Sequence, residues 1–317
     1  MKEQTYVDDA LIAARNKEEA IVKTSQFDEI LEHADMPNKG WLYSGDESNA
    51  LPIGADTASE KDDRVLGLLW DPKSDTFYFT VELDIQYRDE KGDICEVKVT
   101  TVEGLMALVN LIITRRLMLR NVQKIFDPCG WWVPVLLTAK LLLRESWKDK
   151  ATGWDDPLSD ELASQWLSFL KSLLSLKDVQ VPRSLWPDAE VKGPPMLIIF
   201  SDGSTKAFGA AAYLRWELED GTYWTLLIMA KSKIAPKNMT SVPRMELDGA
   251  VTGNRIKNFV LKETNLAPSR VIQLVDSSTA LGYVNTECGN FEPYEGLRIS
   301  EIHSSNTFVN GKLEGWA

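Results

Sequence analysis

Three acidic residues in the last third of the chain have the type and spacing of metal ligands. Asp202 follows the apolar run 196–201, Asp276 follows the apolar run 271–275, and Glu246 lies between them. Carboxylates crowded together repel one another and favour a divalent cation, and Mg²⁺ or Mn²⁺ accepts such hard oxygen ligands beside a phosphate. Two such ions activate water and stabilise the leaving oxygen of a phosphodiester.

The elements around these acids predict how they would meet. The residue patterns predict strands over 196–201, 208–216 and 223–231, a helix over 245–262, a strand over 271–275 and a helix over 277–285. The order is βββαβα. If the first and last of these strands are parallel neighbours, Asp202 and Asp276 project from the same sheet edge, and the helix brings Glu246 over them.

Each acid also has an ordinary structural explanation: Asp202 as a turn residue, Glu246 as a first-turn carboxylate and Asp276 as a helix N-cap. Together, however, they resemble the DGS, MEL and DS signatures of ribonuclease H. The segments IIFSDGSTKAFGAAAY, KSKIAPKNMTSVPRMELDGA and VDSSTALGYV resemble the ribonuclease H region of BEL/Pao retrotransposons. This resemblance implies cleavage of RNA in RNA/DNA hybrids, with Mg²⁺ or Mn²⁺ held by the three acids.

The N-terminal motif Tyr6-Val7-Asp8-Asp9 resembles the YxDD hairpin of reverse transcriptases, whose paired Asp residues hold the polymerase metals. The segments VLGLLWDPKSDTFYF, LRNVQKIFDPCGWWVPVLLTAKLLLRESW and GWDDPLSDELASQW resemble the Pao-type segment between polymerase and ribonuclease H. The resemblance therefore covers nearly the whole chain. It implies a fragment of a Pol polyprotein, with the remainder of that polyprotein as a partner.

The expected architecture is mixed α/β in three segments. Residues 1–100 would be the remnant of a reverse transcriptase palm, 101–190 a helical connector, and 191–317 a C-terminally truncated ribonuclease H-like domain, because prolines and glycines cluster over 182–195. Further predicted elements are a helix over 10–34, strands over 41–43, 64–70 and 76–82, helices within 101–150 broken at 127–130, and a helix capped by Ser159.

The charge distribution is uneven. A net charge of −12 counts against a nucleic-acid protein, yet residues 111–150 carry eight Lys/Arg against three acids, and no acid lies between Thr225 and Met245. A solvated face explains either basic strip equally well. The candidate nucleic-acid-binding residues are Arg115, Arg116, Arg120, Lys231, Lys233, Lys237 and Arg244.

Several other classes of protein are disfavoured. No apolar run approaches the roughly 18 residues of a membrane span, and the N-terminus lacks the pattern of a secretory signal, so we expect an intracellular protein without a membrane partner. Cys95, Cys129 and Cys288 are far apart, which argues against a zinc site or a disulfide framework.

Two features depart from the family and leave alternatives open. Ribonucleases H usually have a fourth acid late in the domain, and none of the late glutamates (Glu287, Glu292, Glu295, Glu301 and Glu314) lies in a matching motif. His303 is the single late histidine. The chain could instead be an inactive nucleic-acid- or protein-binding module derived from a retroelement. A third reading is a nuclease of the same fold with other substrates, against which YVDD and FDPCGWWVP argue.

We predict that this chain alone synthesises no DNA. A reverse transcriptase needs a further Asp on an earlier palm strand, and only five residues precede Tyr6. The measurement is primer extension on an RNA template with purified protein and dNTPs, and templated incorporation would contradict the prediction.

Overall fold

The structure, a computed structural model, describes residues 5–6, 9–14, 16–36, 38, 40–44, 64–65, 68–238, 241–287, 289–310 and 312–317. The helices are α1 (Lys17–His33), α2 (Val102–Met106), α3 (Arg115–Gln123), α4 (Val133–Ser146), α5 (Asp160–Leu174), α6 (Val242–Glu263), α7 (Ser278–Asn285) and α8 (Pro293–His303). The strands are β1 (Thr5–Tyr6), β2 (Asp9–Ala10), β3 (Arg64–Val65), β4 (Leu68–Asp71), β5 (Thr76–Tyr78), β6 (Leu83–Arg88), β7 (Ile94–Val99), β8 (Leu111–Ile112), β9 (Gln180–Pro182), β10 (Met196–Gly203), β11 (Ala207–Glu217), β12 (Tyr223–Ile234), β13 (Arg270–Val275), β14 (Phe308–Val309) and β15 (Lys312–Leu313). The mixed α/β class is confirmed.

The chain forms two compact units. The first comprises Met1–Val81 and Leu176–Ser184, and the second comprises Glu82–Ser175 and Leu185–Ala317. The division into three segments at residues 100 and 190 stays a prediction. In the described part of the chain, no helix is both long and apolar enough to cross a lipid bilayer.

In the first unit, helix α1 starts later than predicted. The Asn16 side chain accepts a hydrogen bond from the Glu19 N–H at 2.9 Å and so caps the helix, whereas Ala10 belongs to β2. The strand predicted at Trp41–Tyr43 is wrong. The Trp41 ring lies edge-on to Phe27 and its Nε1–H donates to Asp28 at 3.0 Å, so this segment packs along α1 instead of joining a sheet.

Two small sheets are built mainly from strands in the first half of the chain. One sheet, of the first unit, has the order β3-β4-β5-β9, and the other, of the second unit, has the order β7-β6-β8. The β6–β7 hairpin was not predicted. It is fastened to α3 by the buried Asn121 side chain, whose Oδ1 accepts from the Asp84 N–H at 2.8 Å and whose Nδ2 donates to the Asp84 carbonyl at 2.9 Å.

The C-terminal sheet of the second unit has the order β12-β11-β10-β13. Its strands alternate in burial, and α6 covers the face formed by residues such as Leu197, Ile199 and Leu214. The predicted βββαβα order is confirmed. The last residues continue the sheet beyond β13, because Gln273 N–H donates to Gly315 O at 2.6 Å and Ala317 N–H donates to Gln273 O at 2.9 Å.

The connector residues dock on β12. Asp127, whose pKa is raised chiefly by burial, accepts hydrogen bonds from the N–H groups of Trp131 and Trp132 at 2.9 and 2.8 Å. This turn presents the Cys129 carbonyl to the N–H of Ala230 at 2.9 Å. The segment that begins α4 is therefore joined to the edge strand of the sheet by backbone hydrogen bonds.

Gly130 makes this docking possible, and we predict that Gly130→Ala is strongly destabilising. Its φ is +78°, and a Cβ at this position would lie 1.8 Å from the Ala230 carbonyl oxygen. Gly92 is the matched control, because its φ is +88° and its added Cβ meets nothing within 4 Å. We expect Gly92→Ala to cost about 1–2 kcal/mol from backbone strain alone, and Gly130→Ala to cost several kcal/mol. Urea unfolding measures both, and equal losses would contradict the docking.

Candidate active site

The ends of β10 and β13 bring two of the predicted acids to one edge of the sheet. The strands are parallel neighbours, as predicted, and their pairing runs from Met196 opposite Arg270 to Ser201 opposite Val275. Asp202 directly follows Ser201, and Asp276 directly follows Val275. Because carboxyl ends of parallel strands share an edge, both acids lie side by side in backbone register. Both side chains are exposed.

The second turn of α6 lies directly against the end of β10, because the helix begins at Val242, three residues earlier than predicted. A Cβ on Gly203 would lie 2.2 Å from the Met245 carbonyl carbon and 2.4 Å from the Glu246 nitrogen. A Cβ on Gly249 would lie 2.5 Å from the Asp202 carbonyl oxygen. Because Gly203 and Gly249 have no side chains, the backbones of the helix and the strand touch. This contact places Glu246 at the same sheet edge as Asp202.

A serine that the sequence analysis did not single out holds Glu246. The hydroxyl of Ser277 donates a short hydrogen bond to Glu246 Oε2, and its oxygen accepts from the Ala280 N–H at 3.1 Å as the N-cap of α7. Asp202 Oδ1 accepts from the Gly203 N–H at 2.6 Å. Because Ser277 directly follows Asp276, this hydrogen bond ties the half-buried Glu246 to the end of β13.

The donor chemistry of this edge fits a hard divalent cation, because three carboxylate-bearing residues lie at it. With the side chains as they stand, however, the described residues contain no group of three His, Cys, Asp or Glu side chains able to hold a metal ion. The exposed Asp202 and Asp276 are free of packing, and rotation of these side chains would be needed to close a ligand set.

Two of the late glutamates are held in ion pairs. Glu295 is 8% exposed and forms an ion pair with Arg244 at 2.7 Å, and Glu301 forms one with Arg255 at 2.5 Å. Both pairs join α6 to α8. His303 also has a structural contact, since its Nε2 lies 2.8 Å from the Val284 carbonyl oxygen.

A second acid on α6 anchors α8 next to the site. Asp248 accepts a hydrogen bond from the Tyr294 hydroxyl at 2.6 Å and forms an ion pair with Arg298. Burial, followed by the hydrogen bond to Asp248, raises the pKa of Tyr294 to about 12, so the hydroxyl remains a donor at neutral pH. This pair was not predicted from the sequence, because its members lie 46 residues apart.

The basic residues of the connector are mostly paired. Arg115 is 1% exposed, its guanidinium donates to the carbonyls of Ser146, Asp149 and Thr152, and it lies 4.4 Å from the centre of the Trp147 ring. This burial corrects the expectation that Arg115 contacts nucleic acid. Arg116 pairs with Asp155 at 2.6 Å, and Arg120 pairs with Asp84 at 2.9 Å and Glu96 at 2.8 Å.

The second basic strip is more accessible. Lys231, Lys233 and Lys237 are exposed, and Lys231 Nζ lies 5.9 Å from the centre of the Phe259 ring. Arg244 differs from them, because it is bound to Glu295 and lies 4.9 Å from the centre of the Tyr294 ring.

The predicted polymerase residues lie in the first unit. Strands β1 and β2 pair antiparallel, with Thr5 opposite Ala10 and Tyr6 opposite Asp9. Asp8 lies outside the described residues, and for Asp9 only the backbone is described. Their proposed role as polymerase ligands stays a prediction.

The fold and this sheet edge define a ribonuclease H-like α/β protein. The chain belongs to the family described as the Pao retrotransposon-like RNaseH-like domain, whose model matches residues 114–277, just over half of the chain. The match extends from the N-cap of α3 to Ser277, and so includes connector helices as well as the sheet. No match was found among curated proteins.

Solved structures with some similarity include ribonucleases H and a viral polymerase. The N-terminal RNase H domain of a Mycobacterium tuberculosis protein is 12% identical, with a TM-score of 0.25, over 35% of this chain and 73% of that one. RNase H1 of Halobacterium salinarum is 10% identical, with a TM-score of 0.24, over 39% of this chain and 82% of that one. The prototype foamy virus protease-reverse transcriptase is 15% identical, with a TM-score of 0.23, over 99% of this chain and 34% of that one.

We predict that Ser277→Ala destabilises the protein by about 1–2 kcal/mol. The change removes an N-cap and a hydrogen bond to a half-buried carboxylate at the same time. Ser278→Ala is the matched control, since the neighbouring serine is exposed and should change the free energy of unfolding by less than about 0.5 kcal/mol. Both are measured by urea denaturation. A Ser277→Ala protein as stable as the control would show that the cap and carboxylate contact contribute nothing.

Proposed function

We propose that the chain is a fragment of a retrotransposon Pol polyprotein whose second unit hydrolyses the RNA strand of RNA/DNA hybrids. The observation that carries this proposal is the meeting of three acids, Asp202, Glu246 and Asp276, at one sheet edge in a chain of the Pao family. In this proposal Asp8 and Asp9 are the remnant of a reverse transcriptase active site without polymerase function.

The three acids would hold Mg²⁺ or Mn²⁺. A bound pair of such ions supplies an activated water and stabilises the leaving oxygen of the phosphodiester. The chain's own residues position the carboxylates. Backbone contact at Gly203 fixes Glu246 beside Asp202, and Ser277 restricts the rotation of the Glu246 carboxylate. The exposed Asp202 and Asp276 face solvent, where a phosphate can approach.

An RNA/DNA hybrid is the expected substrate because a protein of this class reads shape, phosphates and 2′-hydroxyls more than base sequence. Tryptophans of the second unit, whose rings could stack on bases, are engaged within the fold. Trp132 and Trp216 are 3% and 1% exposed, and the Trp131 Nε1–H donates to the Leu227 carbonyl at 3.1 Å. Recognition would therefore rest on charged and polar contacts.

The second candidate function is a catalytically inactive module that binds nucleic acid or protein. One observation favours it. The described acids are not assembled into a ligand set, and the late glutamates Glu295 and Glu301 are held in ion pairs on α8. Such a protein would keep the fold and the surface of the nuclease without its chemistry.

Cleavage of a labelled RNA/DNA hybrid in Mg²⁺ or Mn²⁺ tests the proposal. We expect Asp202→Asn to lower the cleavage rate by at least about 100-fold, because removal of a metal ligand forfeits several kcal/mol of transition-state stabilisation. Asp220→Asn is the control, since it makes the same chemical change in the turn at the opposite end of β11. Metal-dependent cleavage by wild type and Asp220→Asn alone supports the nuclease. Absence of cleavage by all three proteins would favour the inactive module.

A further inference from the structure

The β11–β12 hairpin is polarised in charge. Between Gly203 and Trp216, and again between Thr225 and Met245, the sequence contains no acidic residue. The cations in these two stretches are Lys206, Arg215, Lys231, Lys233, Lys237 and Arg244. The acids of the hairpin lie together around its turn and are Glu217, Glu219 and Asp220. In a chain of net charge −12, this separation is a local feature that the overall charge conceals.

The basic end of the hairpin is the end that carries the candidate active site. Strand β11 begins at Ala207, four residues after β10 ends, and Phe208 pairs with Lys233. Lys206 and Lys233 therefore lie at the same end of the sheet as Asp202. The acidic turn lies at the other end, where Glu217 pairs with Tyr223.

The connector helix α4 reaches this basic end. The Arg144 Nη1 donates to the Lys206 carbonyl at 3.3 Å and to the Ala235 carbonyl at 3.1 Å, and the Ala235 N–H donates to the Lys206 carbonyl at 2.9 Å. A guanidinium has five N–H donors. Those on Nε and Nη2 of Arg144 have no acceptor within the described residues, so they remain available to a ligand.

Arg144 and Lys206 also border an open cleft of about 470 Å³ between α4 and α5. The acids on its walls are Glu145, Asp149 and Glu161. Glu145 pairs with Lys148 at 2.6 Å, and Asp149 accepts from the Thr152 hydroxyl at 2.5 Å. By contrast, Lys206 and Lys233 are exposed, and across the described ranges neither has an ion-pair partner.

We propose that Lys206, Lys233 and Arg144 form a phosphate-binding shelf that carries the backbone of a nucleic-acid duplex from the three acids onto connector helix α4. Unpaired cations beside a catalytic edge attract phosphates and release counterions from the duplex. Arg144 contributes in two ways, since it offers its own donors and fixes the turn that bears Lys206. The inference rests on the proposed function, because a nucleic acid is the substrate expected at this edge.

The test is binding of a fluorescently labelled RNA/DNA hybrid, measured by anisotropy in EDTA at several salt concentrations. The shelf variant is Lys206→Glu/Lys233→Glu, and both positions are exposed, so folding should be unaffected. We expect affinity to fall by at least about 10-fold at physiological salt, and the slope of log K against log salt to lose about two units, because each phosphate contact contributes about 0.9.

The matched control is Lys262→Glu/Arg270→Glu. It makes the same change in net charge at the opposite end of the second unit's sheet, where α6 ends and β13 begins. Unchanged binding by the control together with weakened binding by the shelf variant supports the shelf. Equal weakening by both, which would reflect net charge alone, or no weakening by either, overturns it. Because EDTA prevents cleavage, a shelf that binds can coexist with failure of the nuclease proposal, and an active nuclease can coexist with failure of the shelf.

Discussion

The backbone contact between the end of β10 and the second turn of α6 is the constraint on which the second unit's site depends. Helix and strand can touch there because Gly203 and Gly249 have no side chains, and a Cβ on either would overlap backbone atoms. The contact sets the height of α6 over the sheet. The crossover through α6 then returns the chain as β13 in parallel to β10, which brings Asp276 beside Asp202 and leaves Glu246 above the same edge.

The connector helices α2 to α5 belong to the same compact unit as this sheet. The connector is fastened to β12 and to the residues that flank the start of β11 and the end of β12. Near the start of α4 the Asp127 turn presents the Cys129 carbonyl to Ala230, and near its end Arg144 binds the carbonyls of Lys206 and Ala235. An edge strand has unpaired backbone groups, and these contacts satisfy part of that edge. The family match across residues 114–277 likewise includes the connector helices and the sheet together.

Helix α8 is held to α6 by ion pairs as well as by apolar packing. Asp248 binds Tyr294 and Arg298, and Arg244 binds Glu295, all within the first two turns of α6. Because these acids and bases are partly buried, each partner removed would leave a charge without compensation. The charged residues Arg244 and Asp248, which lie near Glu246 on α6, thus hold this helix in position. Both are already bound to residues of α8 in the absence of a ligand.

The sequence by itself determined the C-terminal elements and the positions of the three acids along them, because period-two and helical patterns are local and each acid lies near the end of an element. It also placed a break at Asp127–Gly130. It did not reveal which charges are free. Arg115 and Lys233 are both basic residues in basic strips, yet one is buried beneath Trp147 and the other is exposed. The contacts between Ser277 and Glu246 and between Trp131 and Leu227 join residues 31 and 96 positions apart. Only tertiary structure decides such pairings, because a side chain's charge and hydrogen-bonding capacity are set by its type, whereas its partner and its exposure to water are set by the packing of distant elements.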